Sequence, residues 1–230
     1  VAAVLIISGC NAWVALVAAF VVGMLTGLVT GVFHTCMGIP AILSGILTQL
    51  ALYSINLGIM SNKANTAVNA NKYDLLVSLR NVRNFSLDNP ILLLLIITAA
   101  VIALLYWFFG TELGCSIRAT GSNLNMSRAQ GISTDKMQIL ALMIANGLVA
   151  MSGALVMQQQ RFGDVSMGIG TIVIGLASII IGEVIFGRRF GFWWSLLSVV
   201  FGSIIYRLII AIVLQLGMKT QDLKLLSAVV

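Results

Sequence analysis

Charged residues are scarce in this sequence. Asp, Glu, Lys and Arg make up 9% of its 230 residues, whereas a soluble domain carries roughly a quarter. Hydrophobic residues make up 60% and the mean hydropathy is +1.06, so water is not the main solvent of the folded chain. Several runs reach the length of about 20 apolar residues that a membrane-spanning helix needs. We therefore predict an all-α fold, a polytopic bundle of transmembrane helices.

The sequence also lacks the motifs of enzymes that act on phosphates, acyl groups or metals. It contains no G-x-x-x-x-G-K-[ST], no G-x-S-x-G and no H-E-x-x-H, which excludes ATP binding through a P-loop and indicates no catalytic residue. Its one histidine, His34, has no second histidine to form a metal site, and its three cysteines show no C-x-x-C spacing. We predict a chain without a catalytic residue, metal site or cofactor of its own.

Basic residues outnumber acidic ones without forming a nucleic-acid surface. The chain holds 13 Lys and Arg against 7 Asp and Glu, a net charge of +6. These residues are scattered among loops, with no basic stripe and no interleaved aromatic side chains. Nucleic acid is therefore not an expected partner, and the lipid bilayer is.

Apolar runs predict where the helices lie. Incomplete apolar runs at the start and from Leu223 indicate that further helices are cut off at both ends, so we interpret residues 1–230 as a fragment of a single transmembrane domain. The complete runs predict spans or near-spans at 12–33, 41–60, 91–109, 138–157, 167–186 and 192–216.

Two further features of the fold are expected. Similar patterns of apolar helix, polar break and second apolar run begin at Gly23 and Gly202. They fit the inverted repeat of many transporters, although two unrelated helices of similar hydropathy explain them equally well. A discontinuous helix is also expected near 40–60.

The two long polar segments, 61–90 and 110–137, are separated by one predicted span. They are therefore expected on opposite sides of the membrane. Short cytoplasmic loops are enriched in Lys and Arg. If 110–137 is cytoplasmic, more basic residues fall outside than inside, so the charge count mildly opposes that orientation and leaves the question open.

Glycines at regular spacing predict close helix packing. Gly23, Gly27 and Gly31 recur every four residues, which forms a smooth helix face that a second backbone can approach closely. The alternative is that glycine is simply common in membrane helices; the regular four-residue spacing favours close packing. The cluster at 168–175 is a candidate for a similar role.

Polar side chains share one face of the segment 41–60. Gln49, Tyr53 and Asn56 recur at spacings of four and three, which places them together on a helix. Such a face either lines a substrate pathway or forms ordinary interhelical hydrogen bonds. The sequence supports both interpretations equally.

Three other polar residues lie within predicted spans. Asn146 and Arg207 are deep enough to be further candidates for the pathway. Ionisable groups in a membrane are costly, so Arg207 and Glu183 are functional candidates by default. Glu183 also lies near the arginines at 188–189, and pairing with them or snorkelling to the interface is the alternative. Arg207 either pairs with Glu183 or faces a wet cavity.

The segment 110–137 combines small residues at its bends with two arginines. A short helix is predicted within it from Asn123 to Ala129. This composition favours a docking surface, and an ordinary solvated connection is the alternative. The residues that mark the segment are Gly114, Arg118, Gly121, Asn123, Arg128 and Gly131.

The stretch SIRATGSNLNMSRAQGIS resembles the cytoplasmic coupling segment of permeases in the ribose and branched-chain amino acid class of ABC importers. Further stretches resemble one branch of that class, which takes up aromatic amino acids with lipoprotein-type binding proteins. They are IPAILSGILTQLALYSINLGIM, GIGTIVIGLASIIIGEVIFG and GSIIYRLIIAIVLQLG. The similarity extends along nearly the whole chain.

The resemblance implies the permease subunit of an ATP-driven importer in a bacterial cell membrane. The implied partners are a second permease copy, two subunits that bind ATP and Mg, and an extracytoplasmic binding lipoprotein. The implied solute is small and polar, with tryptophan or tyrosine expected, and it crosses by alternating access. Arg118 to Gly131 would contact the ATPase and 61–90 would be extracytoplasmic, against the charge count. An ion-coupled carrier that uses Glu183 and Arg207 without an ATPase is the alternative.

Overall fold

The computed structural model describes residues 1–60, 64–68, 90–165, 168, 171–186 and 191–215. Five of the helices in this part are long and apolar enough to cross a membrane, which confirms the predicted polytopic helical bundle. The elements are α1 Ala2–Ile7, α2 Ala12–Thr35, α3 Ala41–Ile59, β1 Asn65–Ala67, α4 Pro90–Gly110, α5 Glu112–Ser122, α6 Leu124–Ala129, α7 Thr134–Gln160, β2 Phe162–Asp164, α8 Thr171–Phe186 and α9 Phe192–Gln215.

Two expectations about the helices need correction. The span predicted at 167–186 is shorter, because α8 begins only at Thr171 and has 16 residues. The discontinuity expected near 40–60 lies before α3, which is unbroken from Ala41 to Ile59. Polar side chains do not break α3, because Thr48 donates its hydroxyl to the carbonyl of Ser44 at 2.9 Å within the same helix. The run expected from Leu223 lies outside the described residues.

The chain divides into two compact units. The first comprises Val1–Val101 with Trp107–Met167, and the second comprises Ile102–Tyr106 with Gly168–Val230. Each unit contains one closely packed helix pair.

The first unit is built on the antiparallel pair of α2 and α7. A Cβ added at Gly23 would lie 2.6 Å from the backbone oxygen of Asn146, and one at Gly31 would lie 3.0 Å from the Cα of Ile139. At Gly27 the added carbon would overlap the backbone of Leu142. Only glycine permits this approach, which brings many backbone and side-chain atoms into van der Waals contact.

One end of this helix pair carries a small apolar core and a β-ribbon. Strands β1 and β2 are antiparallel, with Asn65 opposite Asp164 and Ala67 opposite Phe162. Val68, which follows β1, is 2% exposed. It belongs to a core that joins α1, α2 and α7, formed by Ala2, Ala3, Ile6, Ala15, Ala19, Val68, Ala154 and Met157.

At the other end of α2, a tight turn leads into α3. Gly38 has φ +68°, a left-handed conformation that glycine adopts without a steric penalty. His34 spans the turn, with Nδ1 2.8 Å from the carbonyl oxygen of Ile39. Since a carbonyl only accepts, Nδ1 carries the proton. The two helices then meet where Thr30 Oγ1 donates to Thr48 Oγ1 at 3.0 Å.

The second unit contains the close pair of α8 and α9. A Cβ at Gly182 would overlap the backbone oxygen of Ser198, and one at Gly202 would overlap that of Ser178. All four residues are buried. Each helix therefore contributes a serine and a glycine four residues apart to the contact, which is the small-xxx-small pattern of membrane helix pairs.

The remaining long helix, α4, is apolar on all sides. Within α4, which the structure describes in full, no residue beyond Pro90 is buried. Trp107 near its C-terminal end is 71% exposed. A helix with no polar face suits a lipid environment, and aromatic residues near its end suit the membrane interface.

Candidate coupling surface and substrate pathway

A sharp corner joins α4 to the segment 112–131, which we name the coupling segment. Thr111 closes the corner, since its backbone N–H donates to the carbonyl of Phe108 at 3.0 Å and its hydroxyl accepts from the N–H of Gly114 at 3.4 Å. A Cβ at Gly114 would overlap the backbone of Phe108 and Phe109. The glycine is thus required for α5 to fold back against the end of α4.

Asn123 separates the two short helices of the coupling segment. Its backbone is extended, with φ −156° and ψ 105°, and its N–H donates to the carbonyl of Ala119 at the end of α5. Its side-chain Oδ1 accepts from the N–H of Met126 at 3.1 Å. One residue therefore ends α5 and caps α6, and α6 is the short helix that the sequence predicts at 123–129.

Arg128 and Gly131 hold the end of α6 against the start of α7. Arg128 Nε donates to the hydroxyl of Thr134 at 2.9 Å, and its Nη2 lies 3.4 Å from Oδ1 of Asp135. Gly131 turns the chain with φ +80°, and its N–H donates to the carbonyl of Arg128 at 3.0 Å. Ser127, on the inner side of α6, is buried at 2% exposure.

The outer side of the coupling segment mixes basic and apolar groups. Arg118 is exposed on α5, and Met126 on α6 is 58% exposed. Among the described residues, nothing lies within 4 Å of a Cβ added at Gly121, so this glycine leaves open space beside Arg118. Leu124 adds a second exposed apolar side chain. The arrangement offers a cationic group next to a small apolar surface.

The polar face predicted on α3 lies away from the contact with α2. Ser44 and Thr48 are the buried residues of α3. Gln49 and Tyr53 are exposed and Asn56 is half-buried. The structure brings these three side chains to one face, as their spacing requires, and that face is open within the described chain.

The other three polar candidates occupy separate positions. Asn146 is half-buried on α7, and its side-chain Nδ2 donates to the carbonyl of Leu142 in the same helix at 2.9 Å. Arg207 is exposed on α9, and Glu183 is half-buried on α8. Gly182 packs against both Ser198 and Gly202 of α9, and Arg207 lies five residues, about 7.5 Å, beyond Gly202. Among the described residues, Glu183 and Arg207 do not form the ion pair considered from the sequence.

The two ends of α7 carry different structures. The coupling segment precedes α7, whereas β2 follows it and pairs with β1 from the chain after α3. With 27 residues, α7 is about 40 Å long. The coupling segment and β1, in the described part of 61–90, are thus at opposite ends of a membrane-length helix, in agreement with the opposite sides expected from the sequence.

Some residues of these sites escape the sequence patterns. No sequence motif marks Thr134 and Asp135, because their contacts with Arg128 form only when α6 folds onto the start of α7. Close helix packing was considered for the glycine cluster at 168–175, yet nothing among the described residues lies within 4 Å of a Cβ at Gly168 or Gly175, and 170 lies outside the described residues. The second unit instead packs closely at the α8–α9 pair. The serine–glycine spacings Ser178–Gly182 and Ser198–Gly202 are the signal that identifies it.

The membrane-length helices define a polytopic membrane protein, and the folded polar segment 112–131 precedes one of them, α7. The chain belongs to the family of permease components of branched-chain amino acid transport systems, whose model matches residues 1–230. This confirms the family indicated by the sequence. The chain is a multi-pass transport subunit of an ABC importer, a system whose partners are an ATPase and a binding protein.

Relatives of the chain carry transport names. It is 41% identical over 223 residues to a tyrosine transport system permease protein of Clostridioides difficile, which covers 97% of this chain and 72% of that protein. A protein of Rickettsia prowazekii, RP368, is 30% identical over 219 residues, 94% of this chain and 75% of that protein. The autoinducer 2 import system permease protein LsrC of Yersinia pestis is 31% identical over 168 residues, 72% of this chain and 45% of that protein. No solved structure matches.

Proposed function

We propose that this chain forms the pathway for an amino acid, an aromatic one being favoured, in a bacterial cell-membrane importer. The observation that carries the choice of substrate is the 41% identity to a tyrosine transport system permease. Two copies of the chain form the pathway, two partner subunits bind ATP and Mg, and an extracytoplasmic lipoprotein delivers the solute. Transport proceeds by alternating access, in which nucleotide and solute bias two global states differently.

The chemistry of the α3 face supports this choice. An amino acid presents a carboxylate that needs donors and an ammonium that needs acceptors, and the amides of Gln49 and Asn56 supply both. The ring of Tyr53, 48% exposed, offers a surface for an aromatic side chain, a contact typically worth about 0.5–1.5 kcal/mol beyond its buried area. Asn146 and Arg207 are further pathway residues in this proposal.

The coupling segment is the proposed contact with the ATPase. Arg118, Gly121 and the exposed apolar residues of α6 form the outer surface that a partner can reach. We expect Arg118→Ala and Gly121→Leu to lower the number of solute molecules carried per ATP hydrolysed while membrane insertion stays normal. Normal uptake and normal stimulation of ATP hydrolysis in both variants would reject this assignment.

Substrate choice and pathway are tested together in proteoliposomes that contain the permease, its ATPase and its binding protein. Labelled tyrosine uptake should be inhibited by excess tyrosine or tryptophan and unaffected by ribose. Tyr53→Ala and Gln49→Leu should lower the maximal uptake rate. The control is Leu43→Ala, since Leu43 is an exposed residue on a different face of α3. Equal losses in all three variants, or inhibition by ribose, would contradict the proposal.

A further inference from the structure

Thr134 is an unusual partner for an exposed arginine, because it is buried at 2% exposure. Its hydroxyl accepts from Arg128 Nε at 2.9 Å and donates to Oδ1 of Asp135 at 3.2 Å. The same Asp135 oxygen receives Arg128 Nη2 at 3.4 Å. The guanidinium therefore holds two neighbouring groups in the first turn of α7, a geometry that its fixed fork permits and a lysine ammonium does not.

The connection that this contact spans is otherwise short and locally bonded. The N–H of Ile132 donates to the carbonyl of Ser127 at 3.0 Å, and that of Gly131 to the carbonyl of Arg128 at 3.0 Å. These bonds fix the turn itself but none reaches the first turn of α7. Arg128 links α6 to side chains in the first turn of α7, beyond the connecting turn.

The start of α7 leads directly into its close contact with α2. Ile139 lies against Gly31, and Leu142 and Met143 lie against Gly27. Packing at backbone distance leaves little freedom for one helix to slide past the other. A displacement applied to α6 thus passes to α7 and α2 together, provided that α6 and α7 are held as one body.

We propose that Arg128 is a positioning residue that clamps α6 to the first turn of α7 through Thr134 and Asp135. Its function is to transmit motion of the coupling segment to the α2–α7 pair, and the exposed residues of α5 and α6 contact the ATPase instead. This inference rests on the proposed function, since it requires that an ATPase moves the coupling segment. It assigns a role in transport to Thr134, a residue that is buried from any partner.

The test replaces Thr134 in the reconstituted complex of permease, ATPase and binding protein. Thr134→Val keeps the shape but removes the hydroxyl, whereas Thr134→Ser keeps the hydroxyl. We expect Thr134→Val to lower solute carried per ATP hydrolysed by about fivefold or more, the lower end of usual coupling between sites, with Thr134→Ser close to wild type. Binding of the ATPase to the permease, measured by co-purification, should be unchanged in both.

Arg128→Lys provides a second, exposed variant in case Thr134→Val does not fold. Lysine keeps the positive charge but cannot donate to Thr134 and Asp135 together, so Arg128→Lys should also lower the solute carried per ATP hydrolysed. The double variant Arg128→Lys with Thr134→Val should show no larger loss than either single variant. Wild-type coupling in Thr134→Val or in Arg128→Lys would overturn the clamp. Loss of ATPase binding in these variants would also overturn it, because Arg128 would then belong to the docking surface. If the wild-type permease binds no ATPase at all, the proposed function itself has failed.

Discussion

A single missing carbon at Gly27 determines how closely α2 and α7 approach. A Cβ at this position would overlap the backbone oxygen of Leu142 and lie 2.7 Å from the Cα of Met143. Backbone atoms cannot move aside without displacing the whole helix. The neighbouring glycines of α2 are nearly as restricted, so the contact depends on the absence of side chains along a continuous line.

We therefore expect Gly27→Ala to destabilise the permease by about 1–3 kcal/mol, the usual cost of overpacking. The measurement is the apparent melting temperature of the purified protein in detergent. Gly153→Ala is the matched control, because among the described residues nothing lies within 4 Å of its added Cβ, and alanine favours helix over glycine. Equal destabilisation by both substitutions would show that α2 and α7 are not packed in this way.

Sequence spacing predicts that Gly27 lies in a close helix contact, but it does not identify every small residue that packs in such a contact. Four-residue repetition of glycine is a direct signal of close helix packing. The pair of α8 and α9 uses serine in alternate places, which weakens that signal in a glycine count. The contact of Arg128 with Thr134 leaves no sequence signal, since it depends on the left-handed turn at Gly131.

At the scale of helices, α3 has two polar faces that differ in burial. One face, with Ser44 and Thr48, is buried and attaches α3 to α2 through the bond between Thr30 and Thr48. The other, with Gln49 and Tyr53, stays exposed. The sequence places these polar residues on a helix, but only the packing determines which of them bond to a neighbouring helix and which remain exposed.

The contribution of the Thr30–Thr48 bond is measurable with a double-mutant cycle. Thr30→Val and Thr48→Val should show a coupling free energy of about 0.6 kcal/mol and at most about 1.7, as found for hydrogen bonds between membrane helices. Thr98 serves as the control, since its hydroxyl donates to the carbonyl of Leu94 within α4. Combined with Thr30→Val, Thr98→Val should be additive in its effect on stability. Additivity of the Thr30 and Thr48 variants would exclude the bond.

Hydropathy predicts the long helices because a span of about 20 apolar residues has few alternatives in a membrane. The strands β1 and β2 are different, since each has three residues. Segments this short show no readable alternation of apolar and polar residues. The span count places the ends of α3 and α7 on the same side of the membrane, but only the three-dimensional structure shows that the chain after each of them pairs.

At the scale of the whole molecule, the native cysteines report on membrane orientation. Cys10 precedes α2 at the end of the α2–α7 pair that carries the ribbon, whereas Cys36 follows α2 and Cys115 lies in α5 at the opposite end. All three are exposed. In variants that retain one cysteine each, a membrane-impermeant maleimide added to intact cells should label Cys10 and neither of the others. Inside-out vesicles should give the reverse pattern.

Labelling of Cys115 from outside intact cells would place the coupling segment on the wrong side for an intracellular ATPase. It would also agree with the basic-residue count, which mildly opposes a cytoplasmic 110–137. The basic-residue count and the cytoplasmic coupling segment that the family resemblance implies give opposite orientations, and the labelling pattern decides between them.

The central claim is that partner ATPases drive transport through this chain, and the energy source of uptake tests it most directly. Proteoliposomes containing the permease, its ATPase and its binding protein are loaded with ATP or with a nonhydrolysable analogue, and ion gradients are abolished with ionophores. The account predicts that labelled tyrosine accumulates only with hydrolysable ATP on the side of the coupling segment. Accumulation that follows an ion gradient in vesicles holding the permease alone, without ATP, would contradict it.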